Sequence, residues 1–171
     1  MRYLIVFFTL VLNLSSEVKK YTMDNNYFSL NYPSDMLFER NKENDSSGIY
    51  KVVFISQDKK TTITVKYYSP KSGKDYKSFI KKQTGDNTAT EKYEKPKEVI
   101  VGKRKAIEIV RYFKEFEDIT VKTNSYWLKE RLIVIPSKKG FYTIAFSSEK
   151  DSFDKKSEIF ENILKSFKTK Y

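Results

Sequence analysis

Residues 126–167 read YWLKERLIVIPSKKGFYTIAFSSEKDSFDKKSEIFENILKSF, and this stretch decides the fold. It parses as strand, tight turn, strand and amphipathic helix. Tyr126–Ile135 is rich in β-branched and aromatic residues, Pro136-Ser137-Lys138-Lys139-Gly140 supplies turn chemistry, and Phe141–Ser147 returns as a second strand. From Ser152 the period changes, with Phe153, Phe160, Ile163, Leu164 and Phe167 recurring at helical spacing on one face. That stripe requires an apolar partner, and the sheet holding the hairpin is the nearest. In the first strand Leu128, Leu132 and Val134 point one way and Trp127, Ile133 and Ile135 the other. Both faces of this sheet are therefore expected to be covered.

Working outward, Glu17–Asn26 reads as a polar lead, and Tyr27–Tyr32 alternates as a short strand up to Pro33. Asn41–Gly48 is loop-like. Ile49–Ser56 and Thr61–Tyr68 form a hairpin around Gln57-Asp58-Lys59-Lys60. After the turn Ser69–Gly73, Asp75–Gln83 predicts a helix with Tyr76, Phe79 and Ile80 on one side and Lys77, Lys81 and Lys82 on the other. Thr84–Pro96 reads as a surface loop, Val99–Val101 as a strand, Gly102-Lys103 as a turn, Lys105–Phe116 as a long strand and Glu117–Asn124 as a turn. The expected fold is α+β: an antiparallel sheet of five to seven strands sandwiched between helices (α/β/α), with the C-terminal helix packed on one face. The helix carrying Tyr76, Phe79 and Ile80 covers the other. Residues 27–171 make one domain, the usual result for a chain of 171 residues.

The N-terminus stands apart. Arg2 precedes an apolar run, Tyr3–Leu14, which ends in the small residues Ser15 and Ser16. Residues 1–16 fit a secretory signal peptide cleaved near Ser16 and Glu17, ahead of an uncleaved anchor or a buried strand. The run is shorter than the roughly 20 residues a membrane span needs. No Cys follows it to carry a lipid, so a periplasmic or extracellular protein with at most peripheral membrane contact is expected. Removing Arg2 lowers the formal charge from +11 to +10. That excess favours an anionic surface or envelope protein as partner, with nucleic acid disfavoured if the protein is exported, although lysines scattered along the chain also fit plain solvated surface. Lys103-Arg104-Lys105 is the one triple basic run and the candidate anionic-partner patch.

The chain has no His and no Cys, which excludes His- or Cys-dependent catalytic triads and ordinary structural zinc sites. Glu108 and Glu130 remain as candidate catalytic carboxylates. Arg111 and Arg131 lie in the same two strands, so cross-strand ion pairs are the simpler account. Neither Glu115, Glu117 and Asp118 nor Asn41–Asp45 has the ligand spacing of a calcium loop. Trp127 and the many tyrosines fit packing better than a carbohydrate or lipid platform. No cofactor, metal or catalytic residue is assigned.

Four patches resemble the PsbP-like fold family. Phe28-Ser29-Leu30-Asn31-Tyr32-Pro33-Ser34-Asp35 resembles its opening strand and Tyr-Pro-x-Asp turn, and Gly102, Ala106 and Ile107–Tyr112 resemble its central Gly-x-x-Ala strand. Gly140-Phe141-Tyr142-Thr143-Ile144 resembles the strand before the last helix, and Phe160–Phe167 the helix with its Ile-Leu-x-Ser-Phe ending. Met36 stands where the family often has Trp, and the lack of His removes any metal-binding His of the photosynthetic members. The resemblance implies an exported accessory or binding domain without enzymatic activity. Two alternatives stay open: a carrier of an apolar molecule between sheet and C-terminal helix, and a carboxylate-dependent hydrolase.

Overall fold

The structure, a computed structural model, describes residues 17–41, 45–116 and 125–171. The elements run β1 (Val18–Thr22), β2 (Phe28–Pro33), β3 (Leu37–Asn41), β4 (Ile49–Ile55), β5 (Thr61–Tyr68) and α1 (Tyr76–Gln83). They continue as β6 (Glu91–Tyr93), β7 (Lys97–Val101), β8 (Arg104–Phe116), β9 (Ser125–Pro136), β10 (Phe141–Glu149), α2 (Phe153–Ser166) and β11 (Lys168–Thr169). Eight strands form an antiparallel sheet in the order β3-β4-β5-β10-β9-β8-β6, with β7 also paired to β8. A second sheet of three strands, β1-β2-β11, lies with α2 on the first face of the large one.

The fold class is the expected α+β sandwich, with strands that polar sequence concealed. Residues 17–26, read as a lead segment, contain β1, which pairs with β2 from Val18↔Pro33 to Thr22↔Ser29. The polar stretch 84–96 contains β6, hydrogen-bonded to the edge of β8. Short edge strands bury little, so they leave no apolar alternation to read. The expected turn at 117–124 and the leader at 1–16 lie outside the described residues.

The first face is closed. Along β5, Ile63, Val65 and Tyr67 point into it, and Phe146 and Ile144 of β10 lie alongside. α2 presents Phe153, Phe160, Ile163 and Leu164 to this layer, all buried. The Phe146 ring lies 4.7 Å from Phe153 and 5.3 Å from Phe160. Phe28, Leu30 and Tyr32 of β2 complete the core, and Met36 is buried in it. Gly140 closes the β9–β10 turn at φ +88°, where an added Cβ would lie 1.8 Å from the Tyr68 carbonyl oxygen, so only glycine fits.

The second face is covered in part. The Asp75 carboxylate caps α1, accepting from the backbone N–H groups of Lys77 (3.2 Å) and Ser78 (2.8 Å). Phe79 lies 5.3 Å from Phe141 and 5.4 Å from Tyr68, and Ile80 packs on the same cluster with Leu132 and Val134. α1 has eight residues, about 12 Å of helix. The sheet beneath is seven strands wide along its path, roughly 30 Å at the usual strand spacing. One short helix cannot cover that width.

Candidate functional site: a basic trough on the open sheet face

The uncovered part of the second face is a trough whose floor is small. Thr62 and Thr64 of β5 and Thr143, Ala145 and Ser147 of β10 all point this way, by the alternation of the two paired strands. Beside α1 the trough forms an open concavity of about 340 Å³, bounded by Lys51, Lys66, Lys74 and Gln83 on one side and by Arg111 and Glu130 on the other. Beyond Glu130 it opens into a groove of about 530 Å³ that carries Phe113, Leu128 and Tyr126 with Asp58, Glu115 and Glu149.

The electrostatics of the end beside α1 are unusual for a sheet. Lys51 of β4 stands directly opposite Lys66 of β5. Directly opposed like charges destabilise a strand pair. Lys66 is half-buried at the edge of the Thr floor, and its ammonium is held below the ordinary lysine range. Burial is the largest cause, Lys51 the next, with Lys74 and Arg111 adding to it and Glu130 opposing. The Arg111 Nε donates to Glu130 Oε1 at 2.7 Å, so Glu130 is engaged by its own strand neighbour. Lys74 Nζ lies 5.5 Å from the centre of the Tyr68 ring. Among the described residues no carboxylate forms an ion pair with Lys51, Lys66 or Lys74. The result is an electropositive concavity with hydroxyl groups on its floor.

The candidate residues from sequence fall elsewhere. Lys103 is exposed in the β7–β8 turn, Arg104 is half-buried, and Lys105 is exposed. Arg104 lies close enough to Tyr142 to act on it electrostatically, which puts it on the first face, while strand alternation turns Lys105 to the second. Glu108 and Glu130 are on opposite faces. Glu108 accepts from Arg131 Nε at 2.6 Å, and Arg131 also reaches Glu161 of α2 at 2.7 Å. Glu130 faces the trough. The two carboxylates therefore share no cleft, and cross-strand ion pairing accounts for both. Trp127 is half-buried with Lys92 and Lys114 each 5.4 Å from its ring centre, a packing role on the sheet margin. Glu115 accepts from the Tyr126 hydroxyl at 2.8 Å, and Arg40 pairs with Asp24 and Asp45. Glu117, Asp118 and residues 42–44 lie outside the described residues. The layer between sheet and α2, considered above for an apolar ligand, is filled by Phe146, Phe153, Phe160 and Ile163, each 0–1 % exposed. No helix among the described residues is long and apolar enough to cross a membrane.

No family model and no curated protein sequence matches the chain. Solved structures do. A crystal structure from Bacteroides thetaiotaomicron superposes with a TM-score of 0.55 at 15% identity, over 90% of this chain and 48% of that one, so this chain spans about half of that protein's length. Cyanobacterial PsbP (CyanoP) from Synechocystis superposes with a TM-score of 0.52 at 13% identity, over 93% of this chain and 95% of that one. The fold is PsbP-like. The Saccharomyces cerevisiae Ran-binding protein Mog1p shares the same layout, with a TM-score of 0.50 at 7% identity over 91% of this chain and 96% of that one. At such identities the likeness is one of fold alone.

Proposed function

We propose that this protein is an exported, non-catalytic binding domain that engages an anionic envelope partner through the open face of its sheet. The observation that carries the reading is the Lys51–Lys66 pair. It is a like-charge pair in register at the edge of a concavity, without an acidic partner among the described residues. A sheet gains nothing from such a pair in isolation, and an anion seated there would offset the repulsion. Non-catalytic action is supported by the absence of His and Cys from the sequence and by the separation of Glu108 and Glu130 onto opposite faces. Mog1p, described as a Ran-binding protein, illustrates this layout in a protein named for binding. Export rests on the Arg2, Tyr3–Leu14, Ser15–Ser16 arrangement. Lys103, Arg104 and Lys105 are proposed as an outlying contribution to the field that draws the partner in.

The test is capture on anionic vesicles and on host envelope extract at low and high salt. The wild type should be captured at low salt and released as screening increases, the Debye length falling to about 8 Å at physiological ionic strength. Lys51→Gln/Lys66→Gln should weaken capture more than Lys103→Gln/Arg104→Gln/Lys105→Gln. Salt-insensitive capture would reject the electrostatic reading. A larger loss from the turn variant would move the site to the β7–β8 turn. N-terminal sequencing of the protein from its host should begin near Glu17, and retention of Met1 would reject cleavage.

A further inference from the structure

We propose that the α1 end of the trough is a binding site for a phosphate monoester, its dianionic phosphoryl group seated among Lys51, Lys66 and Lys74 beside Thr64. This names the ligand class of the surface proposed above and rests on that reading. Charge selects the dianion. Arg111 and Glu130 pair with each other in the lining, which leaves three ammonium groups around one small concavity with no carboxylate within ion-pair distance of them among the described residues. A phosphate monoester carries between about −1.5 and −2 near neutral pH and offers three strong acceptor oxygens, whereas a sulfate ester or phosphodiester carries one charge. Lysines serve as mobile point charges for such a group, and the Thr64 hydroxyl and Gln83 amide in the same lining add neutral donors.

Size and the far end of the trough limit the rest of the ligand. About 340 Å³ holds a compact head group. Past Glu130 the groove carries Asp58, Glu115 and Glu149, with Asp58 paired to Lys156 and Glu149 to Lys60, so its charge is close to balanced and it offers no basic track to a polyanion. Phe113 and Leu128, half-buried in the same groove, give apolar surface to an organic body attached to the phosphate. The ligand is therefore a single phosphoryl head on a partly apolar body, either free in solution or the head of a lipid.

The ionisable and charged neighbours make binding pH-dependent. Lys66 is faced by Lys51 of β4, Lys74 ahead of α1, Arg111 of β8 and Glu130 of β9. Binding should rise as the phosphate takes its second charge near pH 6. It should fall again as Lys66 loses its proton, below the ordinary lysine value.

The experiment is calorimetry and amide-shift NMR on the full chain with phenyl phosphate as probe and phenyl sulfate as its singly charged counterpart. The expected result is saturable phenyl phosphate binding, with shifts centred on Lys51, Thr64, Lys66 and Gln83. Phenyl sulfate should bind at least about tenfold more weakly, and Lys66→Met should lose at least about tenfold, the scale of one charge-assisted hydrogen bond. Lys155→Gln, equal in charge change but exposed on α2 at the other face of the sheet, should bind as wild type. Equal binding of the two esters, unchanged affinity in Lys66→Met, or shifts centred elsewhere would each overturn the proposal. Vesicles of phosphatidic acid and of phosphatidylglycerol separate the sources: preference for the former identifies a lipid head, and phenyl phosphate binding without that preference a soluble ester. Envelope capture that depends on Lys51 and Lys66 while phenyl phosphate fails to bind would reject the ligand class and leave the binding surface standing. Capture and ester binding both indifferent to Lys51 and Lys66 would reject both.

Discussion

Replacing Lys66 with Met should stabilise the unliganded protein while removing its ligand site. Met keeps most of the length of the lysine stem, so packing over the Thr floor is retained and only the ammonium is lost. Repulsion between directly opposite like charges costs about 0.2–1 kcal/mol, and Lys66 faces Lys51 in register. The gain at neutral pH should therefore approach about 1 kcal/mol, which in a chain of this length raises Tm by roughly 2–4 °C. The pH dependence carries a sign of its own. The folded-state pKa of Lys66 is lowered by burial and by Lys51, so folding is penalised wherever Lys66 must stay charged. Between that lowered value and the ordinary lysine value of 10.5 the unfolded chain binds more protons, and wild-type stability should rise with pH across this window. Urea melts of wild type and Lys66→Met from pH 7 to just below 10 measure both effects. The two curves should converge as pH rises. A cycle with Lys51→Met should show that the two single gains do not add, because either substitution alone removes the repulsion. Destabilisation by Lys66→Met, or parallel pH curves, would refute the reasoning, since either result means that the charge on Lys66 is compensated in the native state.

Two further outcomes test the frame that holds the trough. Phe160 is fully buried against Phe146, with the Arg131 guanidinium 5.2 Å from its ring centre, so Phe160→Ala should cost about 3–5 kcal/mol. Ser157→Ala, half-buried one turn after Phe153 with its hydroxyl donating to the Asp154 carbonyl at 2.7 Å, removes no apolar volume and should cost less than about 1 kcal/mol in the same urea melts, and equal effects would mean that the buried face of α2 is misassigned. At the alkaline limit, burial pushes Tyr68, Tyr112 and Tyr142 up to about 12 from 10.0, and Tyr67 is raised as well. Raised folded-state values stabilise below pH 10 and are lost as pH climbs through 12, so phenolate absorbance and loss of circular dichroism should appear together in that window. Complete tyrosine ionisation with native dichroism would contradict the packing described.

Much of this fold was legible because its central elements are long and periodic. The β9–β10 hairpin, its turn and α2 follow from residues 126–167, and the sidedness of Tyr76, Phe79 and Ile80 against Lys77, Lys81 and Lys82 marks α1. β1 and β6 were not legible. Val18–Thr22 carries two lysines and Glu91–Tyr93 is three residues long, so neither shows the alternation by which a half-buried strand is read. The trough was missed for a different reason. A search for basic clusters along the chain finds Lys103-Arg104-Lys105, which strand alternation then divides between two faces. The signal for the trough was present in the register. A hairpin with Gln57–Lys60 as its loop places Ser56 opposite Thr61, as the Ser56 N–H donating to the Thr61 carbonyl at 3.0 Å bears out, and counting back from that pair sets Lys51 against Lys66.

The unequal treatment of the two faces explains why a site arises here and not under α2. On the first face, α2 and the β1-β2-β11 sheet together supply enough apolar surface to seal the layer, and Tyr67, Phe146 and Phe160 fill it. On the second, the cover is one helix of eight residues, and the central strands answer with Thr62, Thr64, Thr143, Ala145 and Ser147 instead of large apolar side chains. A sheet that exposed large apolar residues there would be an aggregation liability. Small hydroxyl residues make the exposed floor compatible with water and leave concave space above it. Into that space β4 and β5 each project one lysine from paired positions, where two threonines or a Lys–Glu pair would be more stable. The arrangement weakens the hairpin locally and does nothing for the core, which is why the basic end of the trough reads as a site for a ligand.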